Sequence, residues 1–142
     1  MEVVLDSNEF IFGFTGSRKA CSDVLKLIGV KFDVVLPDVV FREVFERLKI
    51  IEGKDFASAA RYAILKMEIK IIDEKLVPRE LVQKYFNIIK KRPDATIAAF
   101  TEWIKAKHLV SENRDFLKNL TQKPFEVLRA EDFIKLIKDE RH

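Results

Sequence analysis

DATIAAFTEWIKAKHLVSENRDF, residues Asp94 to Phe116, is the stretch whose reading decides the fold of this chain. Ile97, Ala98, Phe100, Trp103 and Ile104 recur with helical spacing, and Asp94 stands just ahead of them. A carboxylate in that place accepts hydrogen bonds from the unpaired N–H groups of a helix N-terminus and meets the favourable end of the helix dipole. His108 to Ser111 follows as a short apolar strand, and Ser111, Asn113 and Asp115 come directly after it. The connection is too short for a further element, so helix and strand are expected to be antiparallel neighbours. The helix start and the strand end then share one edge of the domain, with Asp94 and Asp115 facing each other across a gap.

Working outward, Glu2 to Leu5 is a short β-branched run followed at once by Asp6, Ser7 and Asn8. In a parallel α/β sheet, ligands bind beyond the carboxyl ends of strands where the connections diverge. A carboxylate directly after a buried strand is costly unless it is paired or ligated, which singles out Asp6. Val39 to Leu48 reads as an amphipathic helix with Val40, Val44 and Leu48 inward, and Glu43 lies beside that stripe at the core boundary.

The rest of the chain alternates. Glu9 to Gly16, with Phe10, Phe12 and Phe14 and two glycines, is expected as the loop after the first strand. A helix is predicted over Ser17 to Gly29, a strand over Phe32 to Leu36, and a helix over Asp55 to Met67. A third strand at Ile69 to Ile72 precedes a helix over Pro78 to Lys91. Past the Asp94 helix and the His108 strand come a short helical segment at Phe116 to Leu120, a strand at Phe125 to Leu128 and a closing helix at Glu131 to Lys138. Strands alternating with helices predict one domain over residues 1–142, a three-layer α/β/α arrangement around a parallel sheet of about five strands.

Composition suits a cytoplasmic protein. Cys21 is the one cysteine, so no intramolecular disulfide can form, and no run approaches the roughly 18 apolar residues of a membrane span. The net charge of +3 is too mild to demand a polyanionic partner by itself.

Taken together, the strand ending in Asp6-Ser7-Asn8, LPDVVFREVFERL with Glu43, DATIAAF with Asp94, and LVSENRDF resemble the PIN-domain family along essentially the whole chain. The resemblance implies a metal-dependent nuclease acting on RNA, in a family that includes the toxins of VapC-type toxin–antitoxin pairs and in which homodimers are common. It carries the family's acidic constellation onto Asp6, Glu43, Asp94 and a position in SENRDF. Many members have Asp where this chain has Asn113; others, like this one, place it two residues later, at Asp115. Ser7 and Ser111 match the family's hydroxyl positions.

The chemistry is coherent without the name. Two carboxylates about 4 Å apart repel by about 4 kcal/mol at an effective dielectric near 20. A crowded set therefore needs raised pKa values or a bound cation, and all-oxygen donors suit Mg²⁺ or Mn²⁺ rather than zinc. The expected reaction is in-line hydrolysis of a phosphodiester, with Asp6 and Asp94 as principal ligands and Glu43 and Asp115 holding metal-bound waters or a second ion. Asn8, Ser111 and Asn113 would orient the carboxylates or contact phosphate, and Arg42 and Arg114 are the cations best placed for a phosphate backbone. Other readings stay open. Asp94 and Asp115 also suit helix caps, Glu43 a solvated helix face, and the phenylalanine-rich loop either base stacking or simple burial. A non-catalytic RNA-binding or scaffold domain is the alternative function. A haloacid-dehalogenase-type phosphatase would want Asp where Asn8 stands, so that class does not fit.

Overall fold

The computed structural model describes residues 1–120 and 124–139. Strands β1 (Glu2–Leu5), β2 (Asp33–Pro37), β3 (Lys70–Ile72), β4 (His108–Val110) and β5 (Glu126–Leu128) form one sheet in the order β3-β2-β1-β4-β5. Every neighbouring pair is parallel, with Val3 opposite Val34 on one side and His108 on the other. The chain thus builds outward from β1 in one direction through β2 and β3, then in the other through β4 and β5. The connections diverge between β1 and β4, and the crevice beyond their carboxyl ends is the place where such sheets hold ligands.

Val3, Val4 and Leu5 are all fully buried, as are Leu109 and Val110. Successive strand residues point to opposite faces, so uninterrupted burial means that helices cover the sheet on both sides. The helices are α1 (Ser7–Thr15), α2 (Lys19–Leu27), α3 (Asp38–Glu52), α4 (Lys54–Lys66), α5 (Arg79–Ile89), α6 (Arg92–Trp103), α7 (Arg114–Asn119) and α8 (Ala130–Asp139). This is the predicted α/β/α architecture, and apart from α1 the elements follow the predicted order.

Helix α6 organises one side of the core. Its residues Ala95 to Thr101 are all buried, which a solvent-facing amphipathic helix never shows. Alanines at Ala95, Ala98 and Ala99 let neighbouring backbones approach, while Phe100 fills the space between them. Helix α5 ends at Lys90 in the left-handed conformation, and the chain turns straight into α6. Tyr85 on α5 ties the two together by donating a 2.6 Å hydrogen bond to Glu102, which Lys84 also meets at 2.9 Å. Tyr85→Phe should cost about 1 kcal/mol in urea unfolding, since Glu102 keeps Lys84 and some solvent. A cost above about 3 kcal/mol would mean that the hydroxyl holds more of the core than this.

One predicted element is wrong. Residues Glu9 to Gly16, expected as a loop, are most of helix α1, which Asp6 caps and Gly16 ends at φ 74°. The glycine inside it had the look of a breaker. Gly13 instead permits contact, because a Cβ there would sit 2.5 Å from Leu25 Cδ1 on α2. Ser22 of α2 also donates to the Gly13 carbonyl at 2.8 Å. Phe10 is fully buried and Phe14 packs on the core, so the phenylalanines belong to the interior and not to a base-stacking loop.

Candidate active site

Four acidic side chains reach the crevice from four elements. Asp6 follows β1, Glu43 lies on the second turn of α3, Asp94 sits in the first turn of α6 and Asp115 in the first turn of α7. Asp6 is 3% exposed and is fixed on three sides. Its N–H donates to the Val110 carbonyl at 2.9 Å, continuing the β1–β4 ladder past the strand end. One carboxylate oxygen accepts from the Ser7 N–H at 2.8 Å, and the other accepts from the Ser111 hydroxyl at 2.7 Å. The Ser7 hydroxyl in turn donates a short hydrogen bond to Glu43. Asp94 accepts from the Asn113 amide at 3.2 Å. Each of the three inner carboxylates is therefore held by a hydroxyl or amide from a different element.

Burial pushes the Asp6 carboxyl up to about 6, against the hydrogen bonds from Ser111 and Ser7, and the negative charges of Asp94 and Glu43 raise it further. The Asp94 carboxyl is also raised, chiefly by burial, with Glu43 and Asp115 adding to the rise while Asn113 and Lys91 oppose it. These groups sense one another across the crevice. Concentrated negative charge in a desolvated place is costly without a cation.

Asp94 is not a capping residue. Lys91 occupies the position before α6, and the Asp94 carboxylate turns to Asn113 instead. Asp115 does not cap α7 either. Asn113 takes that role by accepting from the Asp115 N–H at 2.8 Å, and its own N–H donates to Ser111 Oγ at 2.9 Å. Asp115 lies at the rim, 45% exposed, with Lys91 at 3.4 Å. Asn8 accepts from Arg47 at 3.0 Å. Arg42 is held by Asp38 and Glu74, both at 2.7 Å, whereas Arg114 is exposed. Arg47 was missed in the sequence, although it stands one helical turn beyond Glu43 on the same face of α3.

Among the described residues, the one group of three Asp, Glu, His or Cys side chains whose ligand atoms all lie within 4.8 Å of one another is Glu9, Cys21 and Glu112. The carboxylates at the sheet edge are set more widely. Mg²⁺ is usually held by only one or two carboxylates directly and keeps several of its waters, so a set this wide would share such an ion partly through water.

Ser111→Ala removes the hydroxyl that holds Asp6 and leaves a buried oxygen without its donor. Loss of a group that orients a ligand carboxylate typically costs about 10–100-fold in metal affinity or activity. We expect that loss in Mn²⁺ affinity by titration, with far-ultraviolet circular dichroism unchanged. An unaltered metal titration would show that Asp6 needs no such support.

No family model matches the sequence, and no curated protein matches it either. Solved structures do. A VapBC complex of Rickettsia felis, bound to a fragment of promoter DNA, has a TM-score of 0.70 at 15% identity and covers 91% of this chain and 98% of its own. A toxin–antitoxin complex from Klebsiella pneumoniae gives 0.68 at 22% identity over 90% of this chain and 97% of its own. A sarcin–ricin-loop-cleaving VapC toxin of Mycobacterium tuberculosis gives 0.63 at 16% identity over 80% and 92%. The class is thereby defined at the level of fold. The chain has the PIN-like α/β fold shared with VapC-type toxins, as the resemblance of its motifs implied.

Proposed function

We propose that this chain is a metal-dependent endoribonuclease whose centre is formed by Asp6, Glu43 and Asp94, with Asp115 at its rim. The observation that carries the reading is the convergence of the three buried or half-buried carboxylates at the divergence point of the sheet, each pinned by Ser7, Ser111 or Asn113. Asp6 and Asp94 would be the main ligands of a Mg²⁺ or Mn²⁺ ion. Such an ion supplies charge neutralisation at a phosphodiester and a more acidic water. The protein's own part is positional. Ser111 and Ser7 hold Asp6 in one orientation, Ser7 aims Glu43, and Asn113 aims Asp94, so the charges need not reorganise when substrate arrives.

An open groove runs beside the first turn of α6, lined by Lys75, Arg79, Arg92, Phe86 and Thr96, with Glu74 its one acid. Three cations and an aromatic ring in one groove suit the backbone and bases of an unpaired RNA strand. The α3–α4 hairpin exposes Ile50, Ile51, Phe56, Tyr62 and Leu65, an apolar strip that supports a protein partner, either an antitoxin or a second copy.

Labelled single-stranded RNA, incubated with the protein in Mg²⁺, Mn²⁺ or EDTA, tests the reading. Cleavage is expected with either metal and none in EDTA. Protein that binds the RNA but cuts it under no condition would be a binding module instead.

A further inference from the structure

Outside the crevice, α1, α2 and the β4–α7 connection bring together three side chains that the proposed nuclease reading does not use. Glu9, Cys21 and Glu112 place one carboxylate oxygen, the thiol sulfur and another carboxylate oxygen within 4.8 Å of one another. Glu9 and Cys21 are fully buried, and the Glu112 side chain is 4% exposed. Both Glu9 oxygens lack a hydrogen-bond partner, and so does Glu112 Oε1. A buried carboxyl with nothing to bond is a costly arrangement that native interiors avoid. Here that carboxyl, Glu9, lies beside the Glu112 carboxylate and the Cys21 thiol.

The surroundings favour a cation at this point. Glu112 is oriented by the Ala130 N–H, which donates to its other oxygen at 3.0 Å, much as outer groups orient metal ligands. The guanidinium of Arg18 stands 3.6 Å from Glu112 Oε1. Two carboxylates and a thiolate carry three negative charges, which a divalent ion and Arg18 together balance. The donor set separates this place from the crevice, since a thiolate selects zinc-like ions over Mg²⁺, and two carboxylates with one thiolate leave a fourth position for water.

We propose that Glu9, Cys21 and Glu112 form a buried binding site for one zinc-class divalent ion, which clamps α1 and α2 to the segment after β4. Binding releases the Cys21 proton and any proton held by Glu9, so no other reactant is required. The ion would lie behind Asp6, which is three residues before Glu9, and would steady the start of α1. The proposal stands whether or not the crevice cleaves RNA.

Cobalt(II) is the probe. Protein is unfolded, stripped with chelator and refolded in a phosphine reductant with increasing Co²⁺, so that burial of the site cannot block entry. A near-ultraviolet thiolate-to-cobalt charge-transfer band saturating at one equivalent is expected, and Zn²⁺ should displace it. Cys21 is the only cysteine, so such a band has one source. The band should persist in Asp94→Asn, which alters the crevice alone, and vanish in Cys21→Ser. Refolded wild type that shows no band, or a band that needs several equivalents, would overturn the proposal without recourse to any variant.

Discussion

Asp6→Asn is expected to remove RNA cleavage while making the protein more stable at pH 8. Asp6 is the most buried of the carboxylates and senses the charges of both Asp94 and Glu43. Removing one well-placed electrostatic contact in an active site commonly costs about 100–1000-fold in rate, and loss of a direct ligand should cost at least that. Stability moves the other way. Burial raises the Asp6 carboxyl from 3.8 to about 6, so ionising it in the metal-free fold costs on the order of 3 kcal/mol. Asparagine removes that cost and keeps an acceptor for Ser7 or Ser111, at the loss of the other. Part of the gain is offset by a weaker hydrogen bond, leaving about 1–2 kcal/mol in urea unfolding with EDTA present. Wild-type cleavage by this variant, under any metal, would remove Asp6 from the centre. Asp94→Asn should also abolish cleavage, with a smaller rise in stability because Asp94 is only half-buried.

In EDTA, the wild type should lose about 5 kcal/mol of unfolding free energy between pH 5 and pH 8, about 4 of it through Glu9, and Glu9→Gln should lose only about 1. Burial pushes the Glu9 carboxyl from 4.5 up to about 10, and the neighbouring Glu112 carboxylate raises it further. A raised acid contributes its full stability below the unfolded value and loses it as pH climbs toward the folded value. Between the two, the folded chain holds one proton that the unfolded chain has released. The slope is then about 1.4 kcal/mol per pH unit, falling with pH. The Asp6 carboxyl acts in the same direction between about pH 4 and pH 6. Urea midpoints for both proteins at four pH values decide the matter. A wild-type midpoint that is flat across this range would mean that Glu9 is ionised in the fold and paired in some other way.

The two predictions share a cause. Both carboxyls are buried on α1 or at its cap, in places where a hydrophobic or amide side chain would be more stable. The fold tolerates these costs because Val3 to Leu5, Leu109, Val110 and Ala95 to Thr101 are buried throughout.

The sheet, the order of its elements and the crevice are legible in the chain because each rests on local signals. β-branched runs ending in an acid, a buried alanine-rich helix and Pro or Gly at element boundaries act over a few residues, and no long-range contact reverses them. Asp6 with Ser7, Asp94, and Ser111 with Asn113 are visible for the same reason: they belong to segments that strand ends must bring to one edge. Helix α1 is hidden from local signals because Gly13 costs a helix about 1 kcal/mol, which the close approach of Leu25 that it permits offsets. The turn of Asn8 toward Arg47, and of Asp115 toward Lys91, depends on partners that arrive from other helices. Glu9, Cys21 and Glu112 are the extreme case. Each looks ordinary in its own segment, and only the packing of α1, α2 and the end of β4 places three ligand atoms within one ion's reach. Periodicity reports which face of an element is buried; what that face meets is settled by the approach of elements distant in sequence.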